Sequence, residues 1–505
     1  MDAELGIALR ETAYFEGEPA TCVELRDVSA EVDPGAFQID IPAGTRTVRA
    51  GRLSDMDLPA PVQAARLAAG LGVAGVVALT GWLRNVRPGR SSRRGTADRR
   101  RSHSVAGMVH HAGMPRIDVA ERRRRLGLRH ALCPSARAED AVEAAVRVVA
   151  LHATDPASVF LAVWARTDSV DPAAIAEALY ERRALVRMLG MRRTMFVVPA
   201  DLRPVIQEST MPRVESGQRR LLVKHLRELA GVRDPEPWLR DVERSVLAAL
   251  AARGGRATAE QLAGDEPRLR TQLVVAEGKP YQATQNITSR VLLLLGAQGH
   301  IVRGLPTGSL LSQRYQWALT EQWLPSAGEA LPPAQARAEL ARRWLTAFGP
   351  APLDDLRWWT GWTAAEVKQA VADLRVREVD TGGVAGIVLP GDEDRSPACG
   401  PWAALLPALD PTVMGWSARG WFLGGHEQAL FDRSGNVGPT VWLDGRVVGG
   451  WAQRRDGEIA VKLLEDVGAD AVALVQAEAA RLPGWLGALR VIPRFRTPLE
   501  RELSA

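Results

Sequence analysis

Lysine is nearly missing from this chain. Of 64 basic residues only Lys224, Lys279, Lys368 and Lys462 are lysine, and the other 60 are arginine. The guanidinium fork suits phosphate, although a GC-rich coding sequence produces the same bias. A net charge of +5 permits an acidic partner such as nucleic acid without requiring one. Cysteine is also scarce. Cys22, Cys133 and Cys399 are odd in number and far apart, so the sequence predicts neither a disulfide framework nor a zinc site, which fits a reducing cytoplasm. The eight histidines lack ligand spacing, and no metal or other cofactor is expected. Long apolar runs are absent but for residues 67–83, whose 17 residues include four glycines and are short for a membrane span. No signal peptide is evident. What remains is an ordinary globular composition, 46% apolar and 24% charged, over 505 residues, enough for two to four domains.

Residues 1–113 read differently from the rest. Helical periodicity is poor there, and "RNVRPGRSSRRGTADRRRSHS" carries eight arginines against one acidic residue. Such a run is solvated by default and only sometimes a nucleic-acid arm. "MPRIDVAERRRRLGLRHAL", from Met114, looks like a natural start leading into a helix. The expectation is a disordered extension or a start assigned too far upstream.

From about residue 137 one order recurs: helix, turn, short helix, helix, two strands. The clearest copy spans 240–322. "DVERSVLAALAARGG" has apolar residues at helical spacing and stops at Gly254-Gly255. "TAEQLAG" follows with Thr258 as N-cap, then "NITSRVLLLLGAQGH", then two strands joined at Pro-Thr-Gly in "IVRGLPTGSLLSQRYQWAL". A second copy covers 335–390, with Thr363 and Glu366 spaced as a capping box. A looser copy covers 137–200 and opens on "AEDAVEAAVRVVAL", read as a helix through Leu151. Beyond it, "WLDGRVVGGWAQRRDGEIAVKLL" alternates around two Asp-Gly turns. The predicted fold is α+β: three tandem winged-helix units and a small C-terminal β-barrel-like domain. The expected boundaries are 114–235, 236–330, 331–395 and 396–505.

These segments resemble the AlkZ/YcaQ-like winged-helix DNA glycosylases. The resemblance rests on "LHATDPASVFLAVWAR", "LVRMLGMRRTMFVVPADL", "IVRGLPTGSLLSQRYQWAL", "LARRWLTAFGPAPLDDLRWWTGW", "LLPALDPTVMGWSARGWFLG", "LFDRSGNVGPTVWLDGRVVGGWAQRRDGEI" and "PRFRTPLE", in the family's order. It implies a positively lined channel for duplex DNA and removal of bulky N7-alkylated guanines, including crosslinks. It also implies a catalytic signature early in the first unit, Gln-apolar-Gln or Gln-apolar-Asp. "LHATDP" puts His152 and Thr154 at those two positions, and both depart from the family's pattern.

Each candidate has a plainer reading beside it. A neutral His152 is able to accept a proton from water and Thr154 to orient it. Alternatively, Asp155-Pro156 opens a helix, Thr154 satisfies a free N–H, and His152 caps the preceding helix. Arg192 and Arg193 are expected on a strand with side chains alternating, one toward phosphate and one toward solvent. Arg303 opens the second wing and Arg314 lies on its return strand, both placed for phosphate contact. The tryptophans read mainly as core. The expected partner is double-stranded DNA, alkylated or crosslinked, bound by a monomer in the cytoplasm at the nucleoid. The alternative to a monofunctional glycosylase is a non-catalytic DNA-binding sensor, resistance protein or regulator on the same channel.

Overall fold

The computed structural model describes residues 114–275, 282–325 and 328–505, together with a backbone ribbon pairing Tyr14–Phe15 with Glu18–Pro19. The segment 67–83, the arginine run, Cys22 and His110-His111 lie outside the described residues. Two units divide the chain: residues 1–94 with 273–285, and residues 95–272 with 286–505. Strands Gln272–Val275 and Ala283–Asn286 form a two-stranded ribbon of their own. Every side chain of the candidate site belongs to the second unit. Among the described residues no helix is long and apolar enough to cross a membrane.

The helices begin where the sequence offers caps. Asp118, Asp140, Asp155 and Asp171 each accept a backbone N–H in the first turn that follows. The expected Thr363–Glu366 capping box forms, and Thr258, expected as an N-cap, forms a second box with Gln261. One helix is shorter than its periodicity suggests. Ala141–Arg147 ends there, and Val149 takes a φ of +65° that turns the chain into the short strand Leu151–His152. Helix Pro156–Trp164 is buried over all nine residues. Helix Pro172–Ala176 runs on as a π-turn before the hairpin Leu185–Gly190 with Thr194–Pro199. A 27-residue helix, Arg203–Leu229, leads to the next run.

Helices Pro235–Ala252, Ala259–Asp265 and Thr288–Ala297 precede strands Ile301–Pro306 and Tyr315–Leu319. The turn between those strands covers 307–314, longer than the Pro-Thr-Gly turn expected, so Arg314 sits in the turn and not on the strand. Helices Pro333–Phe348, Leu353–Thr360 and Ala364–Ala372 precede the hairpin Arg377–Asp380 with Ala385–Val388.

The first two hairpins share one sheet. Its six strands lie in the order Leu151–His152, Thr194–Pro199, Leu185–Gly190, Ile301–Pro306, Tyr315–Leu319, Arg256–Thr258, all antiparallel. Leu151–His152 is an edge. At the C-terminal end, strands Ala403–Leu406, Thr440–Leu443, Arg446–Gln453 and Ile459–Leu463 form an open four-stranded meander. The expected barrel does not close: strands 403–406 and 459–463 remain edges, and four strands are half the number that closes a small barrel.

The largest of the separate buried apolar clusters is aromatic-rich. Trp344 stacks on Phe348 at 5.8 Å, and Phe348 meets Trp416 edge-on at 5.1 Å. The cysteine expectation is overturned. Cys133 and Cys399 are disulfide-bonded across 266 residues, with their Cα atoms 6.3 Å apart, inside the range a disulfide spans. Spacing along the chain carries no trace of that proximity. Asp410 accepts from Thr412 N in the first turn of the next helix and also forms a buried ion pair with Arg166.

Candidate nucleic-acid site around residues 152–155

The short strand sets the geometry. Leu151 pairs with Val197 and His152 with Phe196. Ala153 N still donates to Met195 O at 2.8 Å, after which the chain leaves the sheet for the helix at Pro156. Asp155 is fully engaged in that exit: Oδ1 accepts from Ala157 N at 3.1 Å and Oδ2 from Arg494 N at 2.9 Å. It is a cap.

The plainer readings of the two signature residues fail. His152 is five residues past the helix it was to cap, and its Nδ1 is buried with no hydrogen-bond partner. The Thr154 hydroxyl makes no hydrogen bond to the described residues; only its carbonyl is engaged, at 3.5 Å from Arg494 Nη1. His152 is 8% exposed and meets Phe196 edge-on at 5.4 Å. Burial pulls its pKa down to about 3, helped by the charge of Arg192. The imidazole is therefore neutral at physiological pH. It accepts a hydrogen bond from water well, but holds a proton poorly.

Arg192 and Arg193 are not on a strand. They form the tight turn between Gly190 and Thr194, with φ values of +54° and +61°, a left-handed conformation that is costly for side chains other than glycine. The turn, not strand alternation, sends them apart. Arg192 lies over the half-buried Trp358 at 4.0 Å, and Arg419 approaches the same ring at 5.0 Å. Desolvation lowers both guanidiniums to about 10, so both remain cationic. Arg193 donates to Gln218 Oε1 at 2.9 Å.

Arg303 occupies the other face of the sheet. Directly paired residues share a face, so His152, Phe196 and Met188 lie on one side, and Leu151, Val197, Arg187, Arg303 and Trp317 on the other. Arg303 stands 3.9 Å over Tyr315 and 5.4 Å from Trp317. Arg193, Arg290, Arg303, Tyr315 and Trp317 line an apolar cleft of about 450 Å³ beside the long helix. Arg314 is exposed in the 307–314 turn, away from this group.

The structure thus brings His152 and Arg192 together and sets Thr154 beside Arg494; Arg303 and Arg314 are not part of that cluster. Sequence reasoning missed Arg187, Arg419 and Arg494, and it read Trp358 as core. Arg187 had a visible signal, being the lone charge in the apolar strand "LVRMLG". Among the described residues no carboxylate lies within 4.0 Å of Arg187, Arg192, Arg193, Arg303, Arg419 or Arg494. None of the described His, Cys, Asp or Glu side chains converge in threes as metal ligands would.

Near the edge strand the site thus combines arginines without carboxylate partners, a hydroxyl with no hydrogen bond to the described residues and a neutral imidazole. Comparison with known families gives the class. The model of the AlkZ-like family, DNA glycosylase AlkZ-like, matches residues 145–485, and the chain belongs to that family. Among solved structures, the DNA glycosylase AlkZ of Streptomyces sahachiroi has a similar fold, with a TM-score of 0.59 at 20% identity over 73% of this chain and 97% of that one. Comparison with curated proteins gives no match.

Proposed function

We propose that the protein releases N7-alkylated guanine from duplex DNA, with His152 and Thr154 holding the attacking water. The observation that carries this reading is the neutral, buried His152 with an unpartnered ring nitrogen, in a site where Asp155 is committed to capping. Such a site has no strong general acid or base. It suits a base that alkylation has already made a good leaving group, so that placing water is most of what the protein must supply. Arg192, Arg193, Arg303 and Arg314 contact backbone phosphates in this reading. The three helix-and-hairpin runs act as winged-helix units over 114–235, 236–330 and 331–395, in a monomer working in the cytoplasm at the nucleoid.

A second reading, duplex binding without chemistry, is favoured by one feature. Neither the His152 ring nor the Thr154 hydroxyl is fixed by a hydrogen bond, so the water is less well preorganised than catalysis prefers. A single-turnover base-release assay on duplex carrying N7-alkylguanine separates the two. The glycosylase reading expects release by the wild type, a loss of about tenfold or more in His152→Ala and in Thr154→Ala, and unchanged duplex affinity. Tight binding with no release gives the second reading. No binding at low salt removes both.

A further inference from the structure

Arg187 is a buried cation with no ion-pair partner within 4.0 Å among the described residues. It is 6% exposed, its Nε is enclosed with no hydrogen-bond partner, and its Nη2 donates to Ala153 O at 2.6 Å. Arg303 is its direct partner across the two strands and has an enclosed, unpartnered Nε of its own. Both guanidiniums approach one ring, that of Tyr315, at 5.6 Å and 3.9 Å. Arg494 adds a third positive charge that each of them feels, together with the repulsion between the two. The charge of Asp155 also reaches Arg187, from beyond ion-pair distance, and offsets part of that repulsion. Three cations gathered with no carboxylate within 4.0 Å are costly. A bound anion with several acceptor oxygens offsets that cost and fits guanidinium geometry.

The position of the cluster says which anion. Arg187 grips the carbonyl of Ala153, the Arg494 guanidinium reaches the carbonyl of Thr154 at 3.5 Å, and the backbone N–H of Arg494 binds the carboxylate of Asp155. The arginines therefore stand behind the loop that carries His152 and Thr154, on the opposite face of an edge strand. A polymer crossing that edge meets both faces.

We infer that Arg187, Arg303 and Arg494 bind one backbone phosphodiester of the duplex, and that this contact sets the loop 152–155 in place. The inference rests on the proposed duplex binding but not on base release. Arg187 is a positioning residue, acting through the carbonyl of Ala153.

The test uses undamaged duplex and the full chain. Each phosphate in turn is replaced by a neutral methylphosphonate, and affinity is measured for the wild type, Arg187→Gln, Arg187→Lys, Arg303→Gln and Arg494→Ala. One position is expected to cost the wild type about tenfold in affinity. The same substitution costs Arg303→Gln and Arg494→Ala less than about threefold, because the partner is already lost. Their slope of log affinity against log salt falls by about 1. Arg187→Lys retains part of the coupling where Arg187→Gln loses it. Arg494 is exposed, so its variant keeps the test valid even if the buried Arg187→Gln fails to fold. Equal methylphosphonate penalties in wild type and variants overturn the inference. So does stabilisation by inorganic phosphate with no coupled position on the duplex, which assigns the cluster to a free anion. Coupling without base release in the alkylguanine assay leaves this inference standing while the glycosylase reading falls.

Discussion

Arg166 and Asp410 form a doubly hydrogen-bonded ion pair, at 2.8 and 2.9 Å, with both side chains at 0% exposure and 244 residues between them. Arg166 also donates to Thr412 Oγ1 at 2.8 Å. That leaves the Thr412 hydroxyl proton for His130 Nδ1, 3.0 Å away, and His130 Nε2 donates to Ala347 O at 3.1 Å. The network joins the first helical run, the third and the C-terminal segment, and of the Arg166 guanidinium only Nε is left without a partner. Removing one ion leaves the other buried and alone. Asp410→Asn is expected to lower unfolding free energy by about 3–5 kcal/mol, read by urea denaturation. Arg166→Met combined with Asp410→Leu is expected to cost less than Asp410→Asn alone, and a larger cost for the double variant contradicts the account.

Acid should destabilise the protein early. Burial lowers the pKa of His130 and of His152 from 6.5 to about 3. Between those values the unfolded chain binds protons that the native state does not, so stability falls as pH falls below about 6.5. Each histidine contributes a slope of up to ~1.4 kcal/mol per pH unit. Thermal melts from pH 7 to 4 are expected to shift steadily downward, with a shallower dependence in His152→Gln. An unchanged slope in that variant means His152 titrates normally.

The same shift makes a kinetic statement. If neutral His152 holds the water, base release stays flat from about pH 5 upward, the working form being already complete. A rate that drops with an apparent pKa close to 6.5 excludes a buried neutral imidazole.

The Cys133–Cys399 bond closes a loop of 266 residues. Loop-closure entropy makes it worth about 2–4 kcal/mol. Dithiothreitol should lower the melting temperature of the wild type and leave Cys133→Ser unaffected. Melting that is insensitive to reductant in the wild type shows that the bond contributes nothing in solution.

Trp358 holds two cations in place, Arg192 at 4.0 Å and Arg419 at 5.0 Å. Each such contact is worth about 0.5–1 kcal/mol, so Trp358→Leu is expected to weaken duplex binding about three- to tenfold at low salt. Trp358→Phe should recover part of the loss. Equal affinity for all three proteins removes Trp358 from the interface.

Local structure was largely legible because local atoms decide it. The Thr258 N-cap, the Thr363–Glu366 capping box, the Asp155-Pro156 helix start and the hairpins of the second and third runs follow from side chains within a few residues of the backbone they satisfy. The errors came where long-range contacts won. The helix read through Leu151 stops at Arg147 because residues 151–152 pair with 196–197. Arg192 and Arg193 read as strand residues because a left-handed turn without glycine leaves no mark in composition.

The sequence alone determined the repeated helix-and-hairpin order, the arginine bias and the departure of "LHATDP" from the family's signature, since each is carried by neighbouring residues or by composition. Only the tertiary structure decided what those residues meet. It merged two hairpins into one sheet, put His152 and Arg187 on opposite faces of its edge, and joined Cys133 to Cys399. It also left Arg187, Arg192, Arg193, Arg303, Arg419 and Arg494 with no carboxylate within 4.0 Å among the described residues, and buried His152 enough to keep it neutral. Charge neutralisation and desolvation depend on atoms far away in the chain, and those distances exist only after folding.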